Sequence, residues 1–545
     1  MTQLLATEQV RPVSLNWLKL VLIALLVLGV CFRFTALDRK IFWHDEVYTV
    51  FRAAGFTRDE IDRQLFQNRF VSVPELQSFQ QIKPDSSALD SLRSLAVEDP
   101  QHPPLYFLMA RFWMQALGSS ISTSRLLPAL ISLISLPLMY GLAMELFSSR
   151  PTALLATVFL ALSPFDLLFA QTARQYSLLT MTVIGSSWLL LRAMRTRTGS
   201  RWVDYGMSVA VGLYAHPFFG LTVIAQGVYL GLMTFMKPAV KTGTKPPGRR
   251  LLHFALAILG ALLVYGPWLS VLLERHGRAT ATTNWTNEAV GLLYLLKLWV
   301  LSFTALWFDL DFGFNNPLTY LLRLPVLLLI GMAFQHLYRH SPLRVWLFLV
   351  SSALVPFLIL ALPDLVLGGK RSAVSRYLIS CFPAVQLAVA YLFTTRLSLG
   401  QFTPGQFKLN RAFWRVVLAL TFAGSILSAG VSAQANSWWS KDLSYLNGEV
   451  IQRLNAEPAN SILLSNMGND YTNTGDLISL SYGLRPDLRL FLVSDQPDFA
   501  PLTTEPNLLA FRPSEPLKAS MMAQGWRLEP IDPISASAKL WRIRK

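Results

Sequence analysis

Residues 17–50 read WLKLVLIALLVLGVCFRFTAL, then DRKIFWHDEVYTV. The first part, Trp17 to Leu37, is an apolar run long enough to cross a bilayer, a length of roughly 20 residues. Arg11 and Lys19 mark its N-terminal side. The second part puts two adjacent carboxylates, Asp45 and Glu46, just past the end of that run, where a span meets water. An acid pair at such a place serves no packing purpose. In the ordinary case it is a solvated loop, and the rest of the chain decides between that and chemistry.

The same apolar pattern recurs along the 545 residues, of which 52% are hydrophobic and 15% charged, against roughly 25% charged in soluble domains. Spans are expected at about 17–37, 126–147, 151–169, 174–193, 202–215, 218–236, 251–273, 318–337, 345–366, 377–395 and 416–434. The fold class is therefore an all-α polytopic membrane protein of about eleven transmembrane helices. The formal charge of +16 lies largely in short loops between spans, as the positive-inside rule requires, and not on a nucleic-acid-binding surface. No cleavage-site pattern precedes the first run, so it reads as a retained span. Cys31 and Cys381 fall in apolar runs and indicate neither a disulfide framework nor a thiolate metal site.

Two basic clusters, Arg192 to Arg201 and Lys237 to Arg250, flank one hairpin whose tip carries His216. This parity puts the N-terminus in the cytoplasm and His216 on the outer face of a plasma (inner) membrane. The short apolar pieces 102–118 and 291–308, which contain Arg111 and Lys297, then cannot be full spans and read as interfacial or re-entrant helices. A transmembrane domain over 1–434, with a first outer loop at 38–125, is followed at 435–545 by a soluble extracytoplasmic α/β domain. In the latter, SILLSN and RLFLVS read as strands and Leu446 to Leu454 as an amphipathic helix.

That topology gathers polar groups from distant segments at one face: Asp45 and Glu46, His102, Arg174 with Tyr176, His216, and Lys370, Arg371, Arg376 and Tyr377. Asp45 is suited to take a proton from an incoming hydroxyl or amine. Glu46 is divided between metal or substrate contact and simple exposure. His102 and His216 are a weak metal signature, and each also fits a hydrogen-bonded helix end. The arginines match phosphate oxygens, although snorkelling to lipid headgroups would also explain them. An acid base beside several cations near the lipid surface suits a reaction whose leaving group is a lipid phosphate. A transporter or flippase of lipid-linked sugars would use the cations but not the acid pair, and a non-catalytic envelope scaffold would need neither.

Five segments, FWHDEVYTV (42–50), HPPLYFLMARFWMQALG (102–118), SPFDLLFAQTARQYSLL (163–179), YAHPFFGL (214–221) and SRYLISCFPA (375–384), resemble glycosyltransferase family 39 membrane enzymes. That group contains the protein O-mannosyltransferases and the aminoarabinose transferases of lipid A, with the GT-C fold. The resemblance runs in order over about residues 17–395. It implies a polyprenyl-phosphate sugar donor, an extracytoplasmic acceptor (lipid, glycan or protein) and inversion at the sugar carbon. It makes Asp45 the base, with Glu46 completing the motif, sets Arg174 on the donor phosphate and puts His102 at the site edge. One of Lys370, Arg371 or Arg376 would hold the phosphate as well. Some relatives bind a divalent metal and others need no cofactor, so the resemblance leaves a metal open. The carbohydrate-binding trefoil of the eukaryotic mannosyltransferases has no counterpart here, which points to a bacterial-type member.

Overall fold

The structure, a computed structural model, describes residues 15–196, 198–236, 248–397, 411–468, 473–531 and 539–545. Arg11, Arg197, Lys237, Lys241, Lys245 and most of the 396–415 basic loop, which entered the charge-parity reading, lie outside the described residues.

The chain is a multi-pass membrane protein. Every expected span contains a helix, but the count of eleven is not reproduced by length and composition. Among the described residues, seven helices are long and apolar enough to cross, or eight if one bent pair is a single span. The helices Gly199–Ala215, Phe219–Phe235 and Phe382–Arg396 have 17, 17 and 15 residues. Trp17–Phe34 and Arg249–Glu274 leave most of their apolar surface uncovered, which costs little against lipid and would be a large exposed patch in water.

The bent pair departs from the expected continuous span at 151–169. Arg150–Leu162 and Pro164–Ala170 meet at 57°. Pro164 has no N–H to give the Leu160 carbonyl, so the helix cannot run straight through. Arg33, buried in the bundle, takes over: its guanidinium donates to Leu160 O at 3.1 Å and Ala161 O at 2.5 Å. Ser163 Oγ then caps the new helix by accepting from Asp166 N–H at 3.3 Å. The bend aims the following turn, Gln171 to Arg174, at the end of the first span, where Gln171 donates to Phe32 O and Thr35 O at 2.7 and 2.8 Å.

The polar segment after the first span is folded, with helices His44–Ala54, Arg58–Leu65, Val73–Ser78 and Ala88–Glu98. It also supplies a strand. We number the strands β1 (Arg69–Ser72), β2 (Ile462–Ser465), β3 (Arg489–Leu492), β4 (Leu508–Phe511), β5 (Arg527–Pro530) and β6 (Leu540–Arg544). They form one sheet in the order β1-β3-β2-β4-β6-β5, with β3, β2 and β4 parallel and β1 antiparallel on β3. β2 and β3 match the strands read in SILLSN and RLFLVS, and Asn447–Ala456 is the amphipathic helix. Strand β1 was not expected. RFVS is short, and its partner lies more than 400 residues away in the chain, so no local pattern announces it.

The segment after the first span and the C-terminal sheet therefore share one apolar core, in which Val47, Val50 and Phe51 pack with Leu463, Leu477 and Leu490. Close approach is made possible by Gly475 in the helix Asn473–Ser481. A Cβ there would meet His44 Nδ1 at 2.5 Å and the Tyr48 ring at 2.6 Å. Gly475→Leu should push the helix His44–Ala54 out of register and cost about 1–3 kcal/mol by overpacking. The check is a lowered melting temperature of the purified chain. An unchanged one would show that the contact is soft.

Candidate active site

At the start of the helix His44–Ala54, Glu46 reaches back so that its Oε2 accepts the Trp43 backbone N–H at 3.0 Å. The two carboxylates diverge from there. Glu46 points inward and is fully buried. Arg125 holds it in a fork, Nε to Oε1 and Nη2 to Oε2, both at 2.8 Å. Lys441 Nζ reaches Oε2 at 3.1 Å and Ala173 N–H reaches Oε1 at 2.8 Å. Burial pushes this carboxyl up, but Arg125 and Lys441 outweigh it and hold it down at about 2. No face of Glu46 is open to a substrate. It ties together four segments: the helix start, the span Ile121–Phe147, the 171–174 turn and the stretch after the last span.

Asp45 points the other way. Its side chain is 23% exposed and lies 3.9 Å from Arg174 Nη2 and 3.8 Å from Arg376 Nη2. These are ion-pair distances, longer than a hydrogen bond. Burial raises its pKa, yet Arg174 and Arg376, with smaller help from His44 and His102, hold it below the usual carboxylate range. A charged, reachable carboxylate thus sits between two guanidinium groups.

Each arginine is anchored by something besides Asp45. Arg174 Nη1 donates to Thr49 Oγ1 at 2.9 Å and to Asp45 O at 3.3 Å, and Nη2 donates to His102 Nε2 at 2.8 Å. An arginine can only donate, so His102 Nε2 is an acceptor and the ring is neutral with its proton on Nδ1. Burial lowers the His102 pKa to about 4, although Asp99, 3.9 Å from Nδ1, pulls the other way. Arg376 lies over the rings of Trp43, Trp285 and Tyr377 at 5.1 to 5.9 Å.

His216, Tyr176 and Tyr377 line the same place. His216 Nδ1 accepts from Phe218 N–H at 3.1 Å, its ring centroid lies 6.4 Å from His102 and 6.0 Å from Tyr176, and Tyr377 stacks on Phe218 at 4.2 Å. Lys370 and Arg371 are not brought to Asp45. Lys370 Nζ pairs with Glu288 at 2.5 Å, and Arg371 binds Asp364 at 3.0 Å and Asn287. They brace the 286–288 loop against the end of the helix Leu343–Leu367. Lys370 reaches the site only through Trp285, whose ring it shares with Arg376.

The residues do not fit a metal. Among the described residues no three His, Cys, Asp or Glu gather as ligands, and His102 and His216 already use one ring nitrogen each for Arg174 and Phe218. What the site does fit is an anion. Arg174 and Arg376 flank the reachable Asp45, while Arg125 and Lys441 are taken up by the buried Glu46, and buried Lys40 is pushed down to about 7 by burial and by Lys441 and Arg125.

Arg125, Lys441, Thr49, Asp99, Trp43 and Trp285 were not expected here. Arg125 carried a signal, a charge at the mouth of an apolar run. Lys441 follows a Trp-Trp pair of the kind found at membrane interfaces, but nothing in its spacing links it to Glu46.

Residues 101–271 match the family described as dolichyl-phosphate-mannose-protein mannosyltransferase. No curated protein matches the chain by sequence. Among solved structures it is similar to ArnT from Cupriavidus metallidurans bound to undecaprenyl phosphate, at 13% identity and TM-score 0.49, covering 97% of this chain and 98% of that one. It is also similar to the oligosaccharyltransferase AglB from Archaeoglobus fulgidus in complex with an inhibitory peptide and a dolichol-phosphate, at 12% identity and TM-score 0.47, covering 91% and 70%. For the arabinofuranosyltransferase AftD from Mycobacteria the identity is 16% and the TM-score 0.43, covering 83% of this chain and 30% of that one. The stretch 101–271, which carries His102, Arg125, Arg174, Tyr176 and His216, thus bears the sequence pattern of a membrane glycosyltransferase family, in agreement with the family 39 resemblance of its motifs.

Proposed function

We propose that this chain transfers a sugar from a polyprenyl-phosphate donor to an extracytoplasmic acceptor, with Asp45 as the general base. The observation that carries the reading is the reachable Asp45 carboxylate between Arg174 and Arg376. The donor phosphate would be held by those two guanidinium groups, and the acceptor hydroxyl or amine would lie against Asp45. As the acceptor attacks the anomeric carbon, its proton passes to Asp45. The carbon–oxygen bond to phosphate breaks on the opposite face, with inversion, and the bonding pair leaves on the lipid phosphate. The arginines stabilise the charge that grows there. His102 and Thr49 are positioning residues that hold Arg174 at its angle, and Glu46 positions the whole helix start. An outward-facing site and a cytoplasmic N-terminus belong to the same proposal.

The test is sugar transfer from a labelled polyprenyl-phosphate donor by membranes containing the chain, with the Arg174→Ala, Arg376→Ala double variant as control. A double variant that inserts normally and transfers at the wild-type rate would sink the reading.

A pH signature follows. In the free enzyme the two arginines depress the Asp45 pKa. A bound phosphate shares those cations and adds negative charge, so the carboxyl pKa rises when donor is present. The acid limb of kcat/KM for donor reports the free enzyme and that of kcat the complex. The kcat limb is therefore expected at the higher pH. Coincident limbs would mean that the phosphate does not share the arginines with Asp45.

A further inference from the structure

The end of the helical bundle away from Asp45 contains a cavity that the transfer reaction does not use. The helices Ile121–Phe147 and Tyr176–Thr196 start beside the site, at Arg125 and Tyr176, and run about 30 Å before reaching it. Between their far ends lies a hollow of about 490 Å³, walled by Tyr140, Gly141, Met144 and Trp188 and rimmed by Glu145, Arg192, Arg195 and Arg344. A neighbouring hollow of about 270 Å³ shares Glu145, Arg195 and Arg344 and adds Arg250.

Four guanidinium groups therefore surround one carboxylate. Arg195 spends its charge on Glu145, Nε to Oε1 at 2.6 Å and Nη2 to Oε2 at 3.1 Å. Arg192 lies over the Trp188 ring at 5.0 Å. Arg250 and Arg344 have no ionic partner among the described residues; both line the smaller hollow, and Arg344 the larger one as well. Snorkelling explains an arginine at a span end taken singly. It does not explain why Arg192 and Arg344, neither with an ionic partner among the described residues, converge on a recess with an apolar wall while Arg250 lines the hollow next to it. That wall is built closely, since a Cβ on Gly141 would come within 2.9 Å of the Trp188 indole.

We propose that this recess binds a phosphate group, with Arg192 and Arg344 on its oxygens and Arg250 adding positive charge from the adjoining hollow. If the phosphate is a lipid headgroup, the Tyr140, Met144 and Trp188 wall takes the first part of its chain. Basic pockets between membrane helices suit anionic lipid headgroups for this reason. The site is separate from the Asp45 site and does not depend on the reaction assigned there.

The test uses the purified full chain in detergent, titrated with phosphatidylglycerol, phosphatidylcholine or inorganic phosphate, with binding read by native mass spectrometry and by the rise in melting temperature. Saturable binding of phosphatidylglycerol is expected, with phosphatidylcholine weaker because its ammonium meets the arginines. Arg192→Gln with Arg344→Gln should weaken binding roughly 25-fold, about fivefold per cation removed. Glu145→Gln leaves every arginine in place for insertion and releases Arg195, so it should tighten binding. Inorganic phosphate that competes at equal affinity supports the phosphate site and assigns it to a free phosphate, whereas failure to compete supports the lipid. Equal affinity in wild type and the double arginine variant, or no gain in Glu145→Gln, overturns the proposal.

Discussion

Asp45→Asn is expected to slow sugar transfer by about 10²- to 10⁴-fold, the range contributed by a general base, while leaving the fold in place. Asparagine has the same shape, and the Asp45 carboxylate lies in ion pairs near 4 Å, longer than a hydrogen bond. Because those pairs are longer than a hydrogen bond and each arginine keeps other partners, the melting temperature should move far less than in the Arg125→Met variant. Arg174 keeps Thr49 and His102 as partners, and Arg376 keeps its aromatic rings. With a negative charge removed from between them, both cations become freer for phosphate. Donor KM should stay level or fall while kcat collapses, which marks loss of an interaction needed in the transition state alone. Full turnover in a normally inserted Asp45→Asn chain would remove Asp45 from the chemistry.

Arg125→Met should do the opposite, damaging the fold more than any single change at the Asp45 side of the site. It removes the fork on Glu46 and also the donors that satisfy the carbonyls of Leu37, Lys40 and Ile41 at 2.7 to 2.8 Å. A fully buried carboxylate is then left with Lys441 as its ion-pair partner. Breaking a buried pair in this way costs about 3–5 kcal/mol, seen as a lower melting temperature and poor recovery from membranes. Combining Arg125→Met with Glu46→Gln and Lys441→Met should regain part of the loss, because no buried charge is stranded. No regain would mean that Arg125 acts through the carbonyls alone. Acid should expose the same network. The Glu46 carboxyl is held at about 2 against an ordinary 4.5, so its contribution is complete above pH 4.5 and is lost as pH falls through about 2. Glu46→Gln should flatten that acid dependence.

The two adjacent acids thus have separate work, and the reason is periodicity. Neighbours on a helix point about 100° apart, so Asp45 and Glu46 cannot both face the cleft. Which one does is decided by what packs behind the helix. The sequence carried the membrane class, the helix positions and the gathering of Asp45, His102, Arg174, Tyr176, His216, Arg376 and Tyr377, because span length and loop charge are local properties of the chain. Two features hid the break at Pro164: the apolar run continues across it, and the arginine that makes it tolerable lies in another span.

What the sequence alone determined, then, is a membrane-spanning helical chain with an acid pair at the end of its first apolar run. Hydrophobic length and charge placement are written residue by residue and need no partner to be read. Only the tertiary structure decided that Glu46 is a buried tie and Asp45 the open acid, that Arg376 and not Lys370 or Arg371 stands beside it, and that a strand from residues 69–72 joins the C-terminal sheet. Those outcomes depend on pairings such as Glu46 with Arg125 and Lys441, made between residues 79 and 395 positions apart. Burial makes such pairings strong, and sequence distance leaves them unmarked.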